Sequence, residues 1–396
     1  MAYLDHAATT PMLPEAVVAM TELLGKPGNP SSLHASGRKA RRLVEESRER
    51  VAKALGCGSA EVVFTAGGTE ANNIGIKGIA WDQRKKDPRR TRIVTSAIEH
   101  HAVMDPFRWL GESEGFEVTW VKPDSFGQIT PAALRSALGD DPTDVGLVSI
   151  ILANNEVGTI NDIAALTEVT REFEIRFHTD AVQAPAWLEV NFAELGVCAM
   201  SVSGHKVGGP HGIGALVISR DCHVTPLIHG GGQERDVRSG TLDAPAIVAF
   251  ATALEITSAR KTQTVATVSA LRDDLVRRVK EIAPDAIYNG SITDRLANNA
   301  HFVFPGCLGD SLLMLLDAQG VECSVGSACS AGVPQPSHVL LAMGADEDAA
   351  RSTLRFTLGP NSTKEDVDAL IHALPSAIER AKRAGVPKIT TAPVRV

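Results

Sequence analysis

The stretch Ala199-Met-Ser-Val-Ser-Gly-His-Lys206, running on through Val207, Gly208, Gly209 and Pro210, decides how the rest of this chain is read. Ala199 to Ser203 predicts a buried strand, and that strand delivers a polar Ser-Gly-His-Lys into a run of glycines, an arrangement of little use for packing. A lysine at such a strand end, walled by glycines, can be partly desolvated, which favours the neutral amine and makes it a nucleophile toward an aldehyde. Lys beside Gly is also common in surface loops, so this segment alone leaves both readings standing.

The upstream sequence offers what an aldehyde cofactor such as pyridoxal phosphate needs. The ring nitrogen needs a carboxylate partner. Asp180, in Phe177-His-Thr-Asp-Ala-Val-Gln183, stands at the end of an apolar-leaning strand where it can hold that nitrogen protonated, and Gln183 follows close enough to donate to the ring hydroxyl. The phosphate needs main-chain donors at a helix start. Phe64-Thr-Ala-Gly-Gly-Thr-Glu-Ala-Asn-Asn73 supplies a strand, a glycine turn ending in Gly68, and Thr69 opening a helix.

Together these segments resemble the fold-type I pyridoxal-phosphate enzymes, and in detail the NifS-like cysteine desulfurases of the class-V aminotransferase family. The resemblance covers nearly the whole chain: Tyr3-Leu-Asp-His-Ala-Ala-Thr-Thr10, Asn29-Pro-Ser-Ser-Leu-His34, Gly67-Gly-Thr-Glu70, Glu99-His100, Asn154-Asn-Glu156, Asp180 to Gln183, Ser203-Gly-His-Lys206, Arg238-Ser-Gly-Thr241, Gly326-Ser-Ala-Cys329 and Arg355-Phe. It implies an α/β fold with a large domain, residues 13–258, on a mostly parallel seven-stranded sheet. A smaller α+β domain, residues 259–396, is implied with residues 1–12 joined to it. It further implies pyridoxal phosphate on Lys206, surrounded by Gly68, Thr69, Asn155, Asp180, Gln183, Ser203, His205 and Thr241.

Length and composition fit this reading. A chain of 396 residues is long for a single core, and 44% hydrophobic with 22% charged residues is the composition of a soluble globular protein. The net charge of −8 argues against nucleic acid as a partner. The basic runs Arg38 to Arg42 and Arg84 to Arg92 read as solvated faces. No apolar run approaches the ~20 residues of a membrane span. The first motif begins at Tyr3, so neither signal nor transit peptide is expected. Six scattered cysteines suit a reducing cytoplasm better than a disulfide framework. None forms Cys-x-x-Cys, and Cys323 with Cys329 is poorly spaced for zinc, so no metal is expected.

In order along the chain, helices are predicted over Pro14 to Leu24 and Ser36 to Leu55. Strands follow at Glu61 to Thr65, Arg92 to Ser96, Phe116 to Val121, Val145 to Ile150, Ile175 to Thr179, Ala199 to Ser203 and Ile213 to Ile218. Pro245 to Ile282 reads as helix interrupted by the Thr-rich 257–267. Strands near Ala300 to Phe304 and Ser352 to Thr357 and a closing helix from Lys364 to Lys382 follow.

Several candidates keep two readings. Glu99-His-His-Ala102 is an ordinary helix start, while the resemblance gives His100 a place against the cofactor ring and a part in proton movement; His101 reads as surface. Asn154-Asn155 can be a turn, or Asn155 can contact substrate or ring hydroxyl, as the family implies. His229 to Thr241 is a surface loop or an anion-binding turn. By resemblance it crosses a homodimer interface, with Thr241 reaching the partner's cofactor phosphate. Arg355 lies mid-strand, where a charge must be paired; it is a structural salt bridge or a bidentate clamp for a substrate carboxylate.

Cys323 to Pro334 is built of small residues and is expected to be a mobile, solvent-exposed loop. Cys57, Cys198, Cys222 and Cys307 read as buried and inert. By resemblance Cys329 is the nucleophile that takes sulfur from L-cysteine as a persulfide, leaving alanine, with an iron–sulfur scaffold as the expected acceptor. Cys323 departs from the family pattern. The rivals are a selenocysteine lyase or a related aminotransferase, and, in another class, a non-catalytic scaffold subunit.

Overall fold

The computed structural model describes residues 1–326 and 335–384. Seven strands form one sheet in the order Val62–Thr65, Gly214–Ile218, Ala199–Ser203, Arg176–Asp180, Val145–Ser149, Arg92–Ser96 and Glu117–Val121. Gly214–Ile218 alone runs against its neighbours. Helices cover the sheet, and Val145–Ser149, Ala199–Ser203 and Gly214–Ile218 are buried at every position. Strands wrapped on both faces carry continuous apolar runs instead of alternation, which is why they were readable.

The helix Ala35–Leu55 starts on the His34 imidazole, which accepts from the Gly37 N–H at 3.3 Å, and stops at Gly56 in the left-handed region, φ 64°. From it the Arg48 guanidinium reaches Glu234 with contacts of 2.8 and 2.7 Å. Both residues are buried, so this pair fastens the 229–241 segment onto the large sheet.

The expected break in the long helix is corrected. Ala244–Ile282 is one continuous helix of 39 residues. The polar residues between 257 and 267 tie it to the large sheet's loops: Thr257 Oγ1 donates to Val207 O at 2.9 Å, and Lys261 Nζ to Leu188 O at 2.7 Å. The boundary at 258/259 falls inside this helix.

Beyond it, Asn299–Val303 is the central strand of an antiparallel sheet between Thr353–Thr357 and Ile287–Tyr288, and the helix Lys364–Ala384 packs against the long helix and the Ala2–Tyr3 and Val321–Glu322 strands. The start of the chain joins here. Ala2–Tyr3 pairs in parallel with Val321–Glu322, and Asp5 bridges Thr357. Among the described residues, no helix is long and apolar enough to cross a membrane, and no group of three or more His, Cys, Asp or Glu side chains is arranged to hold a metal ion.

Candidate active site

The strand Ala199–Ser203 ends in a tight turn, Gly204–Lys206, that lifts Lys206 above the end of the sheet. Asp180 ends the adjacent parallel strand, in register with Ser201. Its carboxylate is buried and held by one donor at each oxygen, with acceptor capacity to spare: Oδ1 accepts from the Val182 N–H at 2.9 Å and Oδ2 from Asn72 Nδ2 at 2.7 Å. Burial pushes the Asp180 pKa up, against the pull of these hydrogen bonds and of nearby Lys206. Lys206 Nζ donates to the carbonyls of Ala7 at 2.5 Å and Ala8 at 2.6 Å, and Gln183 Nε2 donates to Ala7 O at 2.9 Å. The N-terminal segment therefore forms a wall over the lysine.

Opposite, Gly67 has φ 141°, a conformation that favours glycine, and opens the helix Gly68–Lys86. A Cβ on Gly68 would lie 2.7 Å from Val182 Cγ2 and 3.4 Å from Ser203 Cβ. The helix start, with Thr69 exposed in its first turn, thus closes against Ser203 and the residues after Asp180. First-turn N–H groups have no partner inside their own helix and favour an anion. His205 Nδ1 lies 3.3 Å from Thr9 Oγ1, and burial, then Lys206 and His211, lowers its pKa to about 4. Thr241 is exposed, on the segment whose Arg238 meets Glu70 of the same helix start at 3.2 Å.

His100 is the helix start of its first reading and lies near Lys206. It caps the helix His101–Glu114, Nδ1 accepting from the Ala102 N–H at 3.0 Å, and it sits close enough to Lys206 to feel its charge. Burial, then Lys206, His101 and His338, lowers its pKa to about 4, so it is neutral at physiological pH. His101 is less of a surface residue than expected: half-buried, it contacts Asp105 at 3.2 Å and stands edge-on to His338, ring centroids 5.3 Å apart. Asn154 is a turn residue, its Oδ1 accepting from the Glu156 and Val157 N–H groups at 2.9 and 3.0 Å. Asn155 presents its carbonyl to Arg355 Nη1 at 2.8 Å, and Arg355 Nη2 donates to Asp5 Oδ1 at 2.8 Å.

Cys329 lies outside the described residues. The expectation of an exposed loop starting at Cys323 is corrected. Cys323 is 8% exposed, its thiol is pushed up to about 12 by burial, and Ser324 pairs backbone to backbone with Arg355. Gly326 stands where a Cβ would lie 3.1 Å from His301 Nε2 and 3.4 Å from Glu156 Oε2, and the same oxygen accepts from Ser337 Oγ at 2.6 Å. Glu156 therefore touches the chain on both sides of 327–334.

Sequence reasoning quoted the stretches that hold Asn72, Asp5, Ala7 and Glu99 but gave these residues no role. Asn72 had a signal: it lies four residues after Gly68, hence on the same helix face. Glu99 is buried, accepting from Ser96 Oγ at 2.5 Å and the Ile151 N–H at 2.8 Å, and burial pushes its pKa up to about 8. A cavity of about 420 Å³ lies beside Lys206, walled by His6, Leu13, Trp187 and Ile256. Asp180, His100 and Gly68 are not part of its wall, so the chemistry is located by the side-chain cluster and not by the cavity.

Amine, buried carboxylate and helix-start N–H donors, gathered around a glycine that admits no side chain, suit an aldehyde, a pyridine nitrogen and a phosphate ester. Residues 2–370 match the family described as Aminotransferase class-V. The chain belongs to the class-V aminotransferases. Like them it is a pyridoxal-phosphate enzyme of fold-type I, and its NifS-like likeness is close. It is 53% identical over 387 residues to an IscS-like cysteine desulfurase of Mycobacterium tuberculosis, covering 98% of each chain. Among solved structures it matches a NifS-like protein at a TM-score of 0.88 and 34% identity, covering 96% of this chain and 100% of the other. A structure described as SspA in complex with cysteine matches at 0.77 and 33%, covering 92% and 100%. In this class-V chain, as in the sequence reading, Lys206, Asp180, Gln183, Gly68, Ser203, His205 and His100 come to one end of the sheet.

Proposed function

We propose that this chain removes sulfur from L-cysteine, releasing L-alanine and holding the sulfur as a persulfide on Cys329. The observation that carries the reading is Lys206 beside a buried Asp180 whose carboxylate is gripped by Asn72 and Val182. Relatives named as cysteine desulfurases and a neighbour described with cysteine bound supply the substrate.

Lys206 would hold the cofactor through its amine, Asp180 its ring nitrogen, Gln183 its ring hydroxyl, and the Gly68–Thr69 helix start with Ser203 and His205 its phosphate. Pyridoxal phosphate, when bound, supplies an electron sink for the pair left at the substrate's Cα. Freed by the substrate amine, Lys206 is the base that takes the Cα proton. Asp180 keeps a proton on the ring nitrogen. Arg355, with Asn155, orients the substrate's α-carboxylate. The Cys329 thiolate attacks the substrate sulfur, which leaves carbon for the enzyme, and alanine's Cβ takes up a proton. His100, neutral at rest, accepts or returns the proton at the sulfur.

The same reading includes a homodimer, in which Thr241 reaches the partner's cofactor phosphate. The exposure of Thr241 on a segment buttressed by Glu234 and Arg238 supports it. An iron–sulfur scaffold protein is the acceptor we favour, in the cytoplasm, a location to which five described cysteines, all free, are suited.

The test is to incubate the purified holoenzyme with L-cysteine and a reductant and to quantify alanine and sulfide. Equal amounts of both are expected. A keto acid without sulfide would place the chain among the aminotransferases; no product at all would leave a non-catalytic subunit, and a marked preference for selenocysteine would make it a lyase for that substrate.

A further inference from the structure

Arg355 is held more fully than a substrate clamp needs to be. Its strand, Thr353–Thr357, pairs with Asn299–Val303 on one side, and its own N–H and carbonyl bond Ser324 on the other, at 2.6 and 3.2 Å. The residue is 4% exposed. Nη1 donates to Asn155 O, and Nη2 donates to the Asp5 carboxylate, each at 2.8 Å. Arg355 Nε is buried and has no hydrogen-bond partner among the described residues. The charge is thus neutralised by Asp5, while the hydrogen-bonding capacity of the guanidinium fork is not used up.

Asp5 is in turn fixed by the backbone around it. It bridges Thr357, two residues along from Arg355; the His6 N–H donates to Thr357 O at 3.3 Å and the Ala7 N–H to Thr357 Oγ1 at 2.8 Å. Its side chain is 21% exposed against 4% for Arg355. A second carboxylate reaching Arg355 meets a cation already paired, and two carboxylates sharing one guanidinium repel each other.

We propose that Asp5 is the resident counter-ion of Arg355, which the α-carboxylate of an amino acid must share or displace, so that Asp5 weakens binding of both substrate and product. Without Asp5 an unoccupied Arg355 is a buried, unpaired charge; with it, alanine leaves a site that does not hold carboxylates tightly. Asp5 acts through Arg355 and is a positioning residue. The proposal rests on the reading of Arg355 as the carboxylate clamp.

The experiment titrates holoenzyme with L-alanine, following the cofactor's absorbance, for the wild type, Asp5→Asn, Asp5→Glu and Arg355→Gln. Asp5→Asn keeps an oxygen acceptor and removes the charge, and should tighten alanine binding about tenfold, what relief of a one-unit like-charge shift corresponds to. The KM for L-cysteine should fall in the same direction. Asp5→Glu, which retains the charge, should show no gain. L-Alaninamide, which lacks the carboxylate, should bind Asp5→Asn and wild type alike. A purely structural role for Asp5 would weaken binding of both ligands. Unchanged or weaker alanine binding by Asp5→Asn, or an equal gain for alaninamide, would overturn the proposal while weakened binding by Arg355→Gln keeps the clamp. If Arg355→Gln binds alanine as the wild type does, the clamp itself fails and the proposal with it.

Discussion

Replacing Arg48 by Met tests how the 229–241 segment is held. Arg48 is 5% exposed and Glu234 1%. Two guanidinium N–H groups reach the carboxylate at 2.8 and 2.7 Å, and the Phe64 N–H adds a third contact at 3.1 Å. Removing one partner of such a pair strands the other charge in the interior, which costs ~3–5 kcal/mol. Two features set the expectation at the low end. Arg235, whose guanidinium donates to Val62 O at 2.6 Å, lies close enough to Glu234 to compensate in part, and Met preserves the apolar stem beside Phe64. Arg48→Met should therefore lose about 3 kcal/mol, and Glu234→Leu less, because Glu45 still meets Arg48 Nε at 3.1 Å. The double variant removes both charges and should return to within about 1 kcal/mol of the wild type. Equilibrium urea denaturation of the four proteins at one pH reads the cycle. A double variant as destabilised as the sum of the singles would refute the stranded-charge argument.

Three further outcomes are expected. Lys206→Ala should form no alanine from L-cysteine, since it removes both the cofactor's attachment and the Cα base; substantial turnover would sink the assignment. Cys329→Ser should still change the cofactor spectrum on adding L-cysteine, while mass spectrometry finds no persulfide. Cys323, buried with its thiol near 12, should carry none in either protein, and a persulfide there would mean the wrong thiol has been named. His178, fully buried between Ser149 Oγ at 2.8 Å and Ser201 Oγ at 3.0 Å, has its pKa lowered to about 3 by burial. Its folded value lies below the unfolded one, so stability present above pH ~6.5 is lost as pH falls toward the folded value, about 2 kcal/mol of it between pH 7.5 and 5.0. His178→Gln should show a pH-dependent loss smaller by that amount in urea titrations at the two pH values; equal losses would contradict the linkage.

Strands were the most legible part of the chain because those buried on both faces leave little but apolar residues, as in Val145-Gly-Leu-Val-Ser149. Lys206, Asp180, Gly68 and Ser203 were legible because each is a polar or glycine interruption at the end of such a run. The long helix was misread at 257–267, where threonine propensity pointed one way and anchoring bonds to Val207 and Leu188 pointed the other. Small residues after Cys323 suggested exposure, and backbone pairing of Ser324 with Arg355 overrode it. The contacts of Asp5 and Ala7, though both stand in a quoted motif, were not legible for a different reason. Nothing near residue 7 announces a carbonyl that meets residues 183 and 206, because a backbone acceptor leaves no mark on residue type.

The pairing of Ala2–Tyr3 with Val321–Glu322 has a consequence for how the protein is made. Gly68, Asp180 and Lys206 all precede the last strand of the large sheet, which ends at Ile218. Ala2 to Asp5 pair with Val321, Glu322 and Thr357, whereas the carbonyls of Ala7 and Ala8 meet Gln183 and Lys206. About 140 residues separate Ile218 from Thr357, on the order of 7–28 s of synthesis at ~5–20 residues per second. For that interval residues 2–5 of a nascent chain lack their strand partners, and Arg355 has not yet been added. The two ends of the chain therefore meet late, after every strand of the large sheet has been made.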